Sequence, residues 1–446
     1  MDARQTLKQL AEHIPYGIGR VTAHVPFRLR LGSEYSRFRA LALRYERASP
    51  AERHNYVIAQ LNAIVTYAQQ SIPFYRELYG RSPTSIRTLA DFESLPVITK
   101  ADVRRYTQEA GGATLLNTGG SSGEPLSFYI DRNAWAREWA HMHYIWGLRE
   151  YRQTDLLLTM LGKNLGTRLY AYNAVHNEIK INPYVYSRHH AREVLALFDQ
   201  YPIRFVQGYP SSVYNFFREL EVALPDAERQ RIRAKIRSCL FSSEYPLPYM
   251  VTYLTEVWGL DYISWYGHSE MCVLAYDEDS NGRYRPFVTY GFAEEVGGAL
   301  CGTSFHNHDM PLIRYSTGDL IEPKLTEHGT LDHFTIKEGR EGDFVDDKAG
   351  NKIPLTAMVF GRHHTIFNHA DYVQILQTTR GAATFYITFA GRAPISLNDA
   401  RGHFDLSNLD IDFDFVFSTA PVRTKAGKLK LKLTAQDVTD HLTERH

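Results

Sequence analysis

Apolar positions recur at helical spacing along residues 51–70, where Val57, Leu61, Ile64, Val65 and Ala68 fall on one stripe. Ser71-Ile72-Pro73 breaks that pattern. Thr99 stands where it can cap a helix beginning at Lys100, and an aromatic-rich run predicts a long helix from about Asn133 to Arg149. Beyond it the texture alternates. Leu156–Met160, Ile203–Gln207, the run ending in Cys239-Leu240-Phe241, and Tyr262–Tyr266 are short, nearly continuous apolar segments of the kind buried strands make. Between them Ala191–Tyr201, Ser211–Val222, Ala227–Arg237 and Pro248–Trp258 read as helices. Strands alternating with helices predict α/β architecture with a largely parallel sheet.

The pattern changes twice more. From about Arg283 to Ile336 it becomes short strands and turns, and at Glu338–Asp343 it changes again. Hairpins are expected beyond: Tyr372–Thr378 with Thr384–Phe389, and Ile411–Phe417. In the last of these, Ile411, Phe413, Phe415 and Phe417 alternate with Asp410, Asp412 and Asp414, so one face is buried and the other wet. The expected organisation is a large N-terminal domain, residues 1–339, with mainly parallel sheets and a β-rich subdomain. A small α+β C-terminal domain, residues 340–446, follows.

Composition narrows the function classes. The 446 residues carry 50 Lys and Arg against 50 Asp and Glu, so the net charge gives no support for nucleic-acid binding. Charge is uneven, however. Residues 1–50 hold nine basic and four acidic side chains, which fits a solvated helical face or, more pointedly, an acidic partner or anionic membrane surface. Cys239, Cys272 and Cys301 are too few and scattered for a disulfide framework and suit a reducing cytoplasm. No apolar run approaches the ~18–20 residues of a membrane span, and no signal peptide is read at the N-terminus.

Four patches carry candidate chemistry. Asn117-Thr118-Gly119-Gly120-Ser121-Ser122-Gly123-Glu124-Pro125 packs glycines and hydroxyls into a loop that can wrap a polyphosphate with backbone N–H groups. Tyr266-Gly267-His268-Ser269-Glu270 follows an apolar strand, at the kind of strand end where open α/β sheets bind ligands. Its tyrosine suits stacking on a purine, and its glutamate suits Mg2+, which binds through one or two carboxylates plus substrate phosphates. Tyr315-Ser316-Thr317-Gly318-Asp319 puts a carboxylate at a tight turn, suited to a ribose diol. Thr424-Lys425-Ala426-Gly427-Lys428 is a basic loop whose lysine can neutralise charge developing at a phosphate and an attacked carboxylate. Lys430 and Lys432 follow, so spacing alone does not select Lys428.

Competing readings make different demands. Gly119-x-Ser121-x-Gly123 matches a nucleophile elbow, but that motif needs a helix after it, and an alternating strand, Leu126, Phe128 and Ile130, follows here. The loop also lacks Walker A spacing. Cys301, His306 and His308, or Cys272 with His268, are not spaced like zinc ligands. His141, His143, Tyr144, Trp146, Tyr170, Tyr172, Tyr184, Tyr186 and Tyr209 are available to line an aromatic substrate pocket or simply to pack the core.

Together, in this order, the four patches resemble the adenylate-forming superfamily of acyl- and aryl-CoA synthetases, adenylation domains and luciferases. Ser71-Ile72-Pro73-Phe74-Tyr75, Leu95-Pro96-Val97-Ile98-Thr99-Lys100 and Gln207-Gly208-Tyr209-Pro210-Ser211-Ser212 are similar to the phenylacetate–CoA ligase and CapK-like branch. The resemblance implies a cytoplasmic enzyme that uses ATP and Mg2+ to activate a small carboxylic acid as its acyl-adenylate. The acyl group would pass to a thiol, of CoA or of a carrier protein's phosphopantetheine, or to an amine. It implies that Thr118, Gly119, Gly120, Ser121, Ser122 and Gly123 hold phosphates and that Ser243, Glu244 and Tyr245 lie along the adenine, with Tyr266 and Gly267 beside it. Glu270 would ligate Mg2+, Asp319 and Arg340 would grip the ribose, and Lys428 would be the catalytic lysine of a mobile C-terminal domain. Gly342 stands at the hinge position, where relatives usually carry Asp or Lys. The alternatives are an adenylyltransferase that leaves AMP on its substrate, and a scaffold without catalysis.

Overall fold

The computed structural model describes residues 14–80, 84–118, 126–161, 165–182, 185–246, 248–336, 344–360, 364–366, 369–370, 372–389, 395–418, 420–422 and 431–443. The expected stripe helix runs Pro50–Ser71 and buries Val57, Leu61, Ile64, Val65 and Ala68. Its start is fixed by a capping box, Ser49 with Glu52, and by Pro50 in the first turn. Thr99 and Asp102 form the same device at the start of the helix Lys100–Glu109.

Strands β1 (Thr114–Thr118) and β2 (Leu126–Ile130) pair antiparallel, Thr118 opposite Leu126, so the Gly-rich segment joins the two strands of a hairpin. The large sheet contains β3 (Leu156–Met160), β4 (Tyr170–Asn173), β5 (Glu178–Ile181), β6 (Ile203–Gly208), β7 (Ser238–Phe241), β8 (Asp261–Gly267), β9 (Leu274–Asp277) and β10 (Arg285–Pro286). Its order is β10-β9-β8-β7-β6-β3-β5-β4. The five central strands, β5, β3, β6, β7 and β8, are parallel, while β4 and β9 flank them antiparallel. The near-continuous apolar runs follow from burial of both faces. Leu156 and Leu158 pack with the helices Ala191–Gln200 and Pro210–Ala223, whereas Leu157 packs with Ile145 and Trp146 of the helix Ala134–Gly147.

A second, antiparallel sheet comprises β11 (Gly291–Val296), β12 (Ala299–Ser304), β13 (Tyr315–Leu325) and β14 (Leu331–Ile336). It shares one core with the stripe helix and the β1–β2 hairpin. A short pair, β15 (Phe344–Asp346) and β16 (Lys352–Pro354), precedes a third sheet. That sheet is ordered β19 (Asp412–Ser418), β18 (Ala382–Thr388), β17 (Tyr372–Thr379), β20 (Lys432–Leu433). Among the described residues, its core is drawn from Val345 to Leu431. The boundary expected near residue 340 falls in 337–343, outside the described residues.

Two expectations need correction. The 411–417 segment is not part of a hairpin: β19 joins β18 in parallel, with Phe413 opposite Ala383. Its alternation predicted one buried face, and a parallel neighbour serves that face as well as an antiparallel one. The helix expected over 248–258 is α-helical only at Pro248–Thr252 and widens into a π turn at Tyr253–Val257. The side chain of Tyr253 is tied there to Glu221 at 2.5 Å and to the Trp258 indole at 3.1 Å, a network no helical periodicity reveals. Among the described residues, no helix is long and apolar enough to cross a membrane.

Candidate active site

Because β6, β7 and β8 are adjacent and parallel, the loops leaving Gly208, Phe241 and Gly267 open on one edge of the sheet. Close packing fixes the first: a Cβ on Gly208 would lie 3.0 Å from the Met160 carbonyl oxygen. The second carries Ser243, which is held at φ 65°, an uncommon conformation for a residue with a Cβ. Two further non-glycine residues of positive φ flank the remaining patches, Met271 at 55° and Arg314 at 54°. Backbone strain of this kind persists where surrounding structure over-determines it.

The third loop meets β13 of the second sheet. The Tyr266 hydroxyl donates to Asp319 Oδ2 at 2.7 Å, and the Tyr315 hydroxyl donates to Glu270 Oε1 at 3.0 Å. His268 Nδ1 lies 3.1 Å from Glu270 Oε2. Thr317 Oγ1 donates to the Leu300 carbonyl and accepts from the Asp319 N–H, which sets the turn that presents the carboxylate. Tyr245 packs against the same core as Tyr266, and burial beside Glu244 pushes the Tyr209 phenol up to about 12. Two of the four patches, and the loop after β7, are thus gathered at one edge from positions far apart in the chain.

Burial alone would raise the Glu270 carboxyl. The His268 hydrogen bond and charge, a backbone N–H and the Tyr315 hydroxyl outweigh it and bring the group to about 2. An ionised, buried carboxylate with both oxygens oriented fits a hard cation such as Mg2+. The depressed value is also a stability statement. Its contribution, on the order of 3 kcal/mol, is present in full above the ordinary carboxylate value of 4.5 and is lost as pH falls toward 2. Urea midpoints of the wild type and Glu270→Gln are therefore expected to differ most at neutral pH and to converge below pH 4.5. A gap that stays constant as pH falls would contradict this.

The Arg314 guanidinium makes two 2.9 Å bonds to Glu294 and also donates to the carbonyls of Glu93 and Leu95. Backbone bonds from Ile98 to Arg314 and from Ser316 to Ile98 complete the seam. The Leu95–Lys100 segment therefore serves to hold β13 in register, a role its sequence did not suggest.

Several sequence candidates lie elsewhere. Gly119–Gly123, Arg340, Gly342 and Lys428 fall outside the described residues, as does Tyr184. His141 is buried between Arg137 and Thr289 and lines a small cavity with Met271 and Tyr290, while His143 packs on Phe27 and Trp139 and Trp146 lies in the core. Tyr186 does face a cavity, of about 740 Å3, between Met160 at the end of β3, the helix residues Ser212 and Met250, and the C-terminal segment residues Phe344, Asn351 and Lys352. His306 is engaged with the Thr289 carbonyl, and Cys272 and Cys301 are buried. His268 and Tyr315 were given no role by sequence reasoning. Their only signal was membership of the two patches.

The fold is shared with a solved CoA ligase. A 2-hydroxyisobutyryl-CoA ligase solved with 2-HIB-AMP and CoA in the thioesterification state superposes with a TM-score of 0.52, over 89% of this chain and 93% of that one, at 18% identity. The same ligase in a postadenylation state with R3-HIB-AMP gives a TM-score of 0.50 over 89% and 92%, at 17% identity. At such identities the likeness is one of fold. In sequence, the chain is 22% identical to Protein CapK of Staphylococcus aureus over 321 residues, 63% of this chain and 66%, just under two thirds, of that protein. No family model matches the chain.

Proposed function

We propose that this protein is a cytoplasmic ligase that converts a small carboxylic acid and ATP to acyl-adenylate and pyrophosphate, then hands the acyl group to an acceptor. The observation that carries the reading is the joining of Tyr266 to Asp319 and of Glu270 to Tyr315 at the edge of a parallel sheet. One junction orients a carboxylate beside an aromatic face, as a nucleoside needs. The other holds an ionised carboxylate for a cation, as a polyphosphate needs.

In this reading adenine lies along Ser243–Tyr245 and against Tyr266 and Gly267, while Asp319 accepts from the ribose hydroxyls and Arg340 donates to them. Thr118 and the Gly119–Gly123 loop donate N–H and hydroxyl groups to the β- and γ-phosphates. Glu270 would hold Mg2+, which would supply charge neutralisation at the phosphates. A substrate carboxylate oxygen attacks the α-phosphorus as the bond to the bridging oxygen of pyrophosphate breaks. Lys428 stabilises the charge that develops there, and in-line positioning supplies much of the remainder. The acceptor nucleophile then attacks the acyl carbon, and AMP leaves. The acceptor is a thiol, of CoA or of a carrier's phosphopantetheine, or an amine. The cavity of about 740 Å3 has the size of a small-molecule site and supports an approach from that side. We place the two domains at residues 1–339 and 340–446, with Gly342 as the hinge, because glycine tolerates the φ/ψ change of a rotation.

Pyrophosphate release across a panel of aryl, fatty and amino acids, with hydroxylamine to trap acyl-adenylate, tests the reaction. Release and hydroxamate with one acid class are expected. ATP binding without either would favour adenylyl transfer to another substrate, or a scaffold. Asp319→Ala is expected to raise KM for ATP about ten- to a hundredfold, the worth of hydrogen bonds to a charged group, with kcat little changed. An unaltered KM would remove Asp319 from the ribose site.

A further inference from the structure

The N-terminal helices hold a surface that the catalytic reading does not use. The helix Tyr16–Thr22 is seated on β4 through Tyr16, whose ring meets Tyr172 edge-on at 5.1 Å, and through Thr22, which donates to the Ala174 carbonyl at 2.8 Å. Gly19 permits that approach, since a Cβ there would lie 2.6 Å from the Tyr172 ring. With Gly19 and Ala23 facing the sheet, helical geometry puts Ile18 and Val21 within roughly 60° of each other on the opposite side, and Val25 follows in the bend after the helix. They are 66%, 63% and 41% exposed, and Leu29, at the start of the next helix (Phe27–Tyr45), is 71% exposed. Four large apolar side chains thus project to solvent within twelve residues.

Charge selects the occupant. Between Glu12 and Glu34 the sequence contains Arg20, Arg28 and Arg30 and no carboxylate. Arg30 is turned inward to the Val175 carbonyl. Arg20 and Arg28 are exposed beside the apolar side chains, and no ion pair among the described residues engages them. A second copy docking by two-fold symmetry would bring this face against itself, arginine toward arginine, with no carboxylate between residues 13 and 33 to compensate. An anionic bilayer meets both halves of the pattern: apolar side chains enter the headgroup region and arginines pair with lipid phosphates.

We propose that residues 14–33 form a docking face for an anionic membrane surface, holding the enzyme reversibly against the bilayer. The test is co-sedimentation of the full chain with phosphatidylcholine vesicles and with phosphatidylcholine–phosphatidylglycerol vesicles, at low and high salt. Binding to the anionic vesicles alone, weakened by salt, is expected. The surface variant Ile18→Ser/Val21→Ser/Leu29→Ser should weaken it at least tenfold, and so should Arg20→Glu/Arg28→Glu, with circular dichroism unchanged in both. Failure to bind anionic vesicles, equal binding to neutral ones, or variants that bind as the wild type does would each overturn the proposal. A wild-type dimer that the serine variant converts to monomer, without vesicle binding, would assign the face to a second copy instead.

Discussion

Lys428→Ala is expected to slow pyrophosphate release by about a thousandfold while leaving ATP binding nearly intact. Removing one preorganised stabiliser of transition-state charge costs about a hundred- to a thousandfold in rate, and a lysine acting on the developing charge contributes little to ground-state binding. Two nearby lysines sharpen the test. Lys432 is already committed, its ammonium donating to the Phe344 carbonyl at 2.6 Å from β20, so Lys432→Ala should act on stability before rate. Lys430→Ala should leave the rate within a few-fold of the wild type. Pre-steady-state pyrophosphate release, with ATP binding followed by thermal shift, separates the three. Unchanged release in Lys428→Ala would move the catalytic cation elsewhere.

The largest stability effect is expected at Arg314. Its side chain and that of Glu294 are both nearly fully buried, and burial pushes the Glu294 carboxyl up against the opposing pull of Arg314. Arg314→Met would strand that carboxylate and free the carbonyls of Glu93 and Leu95. Breaking a buried pair from one side costs about 3–5 kcal/mol, to be read as a lower urea midpoint. Replacing both partners, Arg314→Met with Glu294→Leu, should recover much of the loss, because an apolar pair of similar volume leaves no buried charge. A single variant as stable as the wild type would show that the seam between the Leu95–Lys100 segment and β13 is held by backbone bonds alone. The double variant should also loosen the site, since Tyr315 follows Arg314 directly and orients Glu270.

Four of the eight strands of the large sheet, β3, β6, β7 and β8, and the helices between them were legible because the information is local, whereas the short strands β4, β5, β9 and β10 were not read. The cap at Thr99 and the apolar runs of β3, β6 and β8 speak through their own neighbours in the chain. The two helices before residue 46 were less legible. Helix Phe27–Tyr45 bends at Gly32, where φ is 82°, and much of its apolar surface faces outward, so no single stripe marks it. The parallel pairing of β19 was not legible at all, since alternation fixes which face is buried and not which neighbour covers it.

By itself the sequence determined that this is an α/β chain with a β-rich segment before residue 336, and it singled out Tyr266, Glu270 and Asp319 as candidate chemistry. Residue type and spacing suffice for that, because strand-end loops and turns are written in a few consecutive residues. Only the tertiary structure decided that Tyr266 meets Asp319 and that Tyr315 meets Glu270, partners 53 and 45 positions apart. It likewise decided that Glu270 stays ionised where burial would neutralise it, and that Ile18, Val21 and Leu29 face solvent. The reason is physical. Hydrogen-bond partners and local dielectric depend on which distant segments pack together, and that choice is made by the whole core at once.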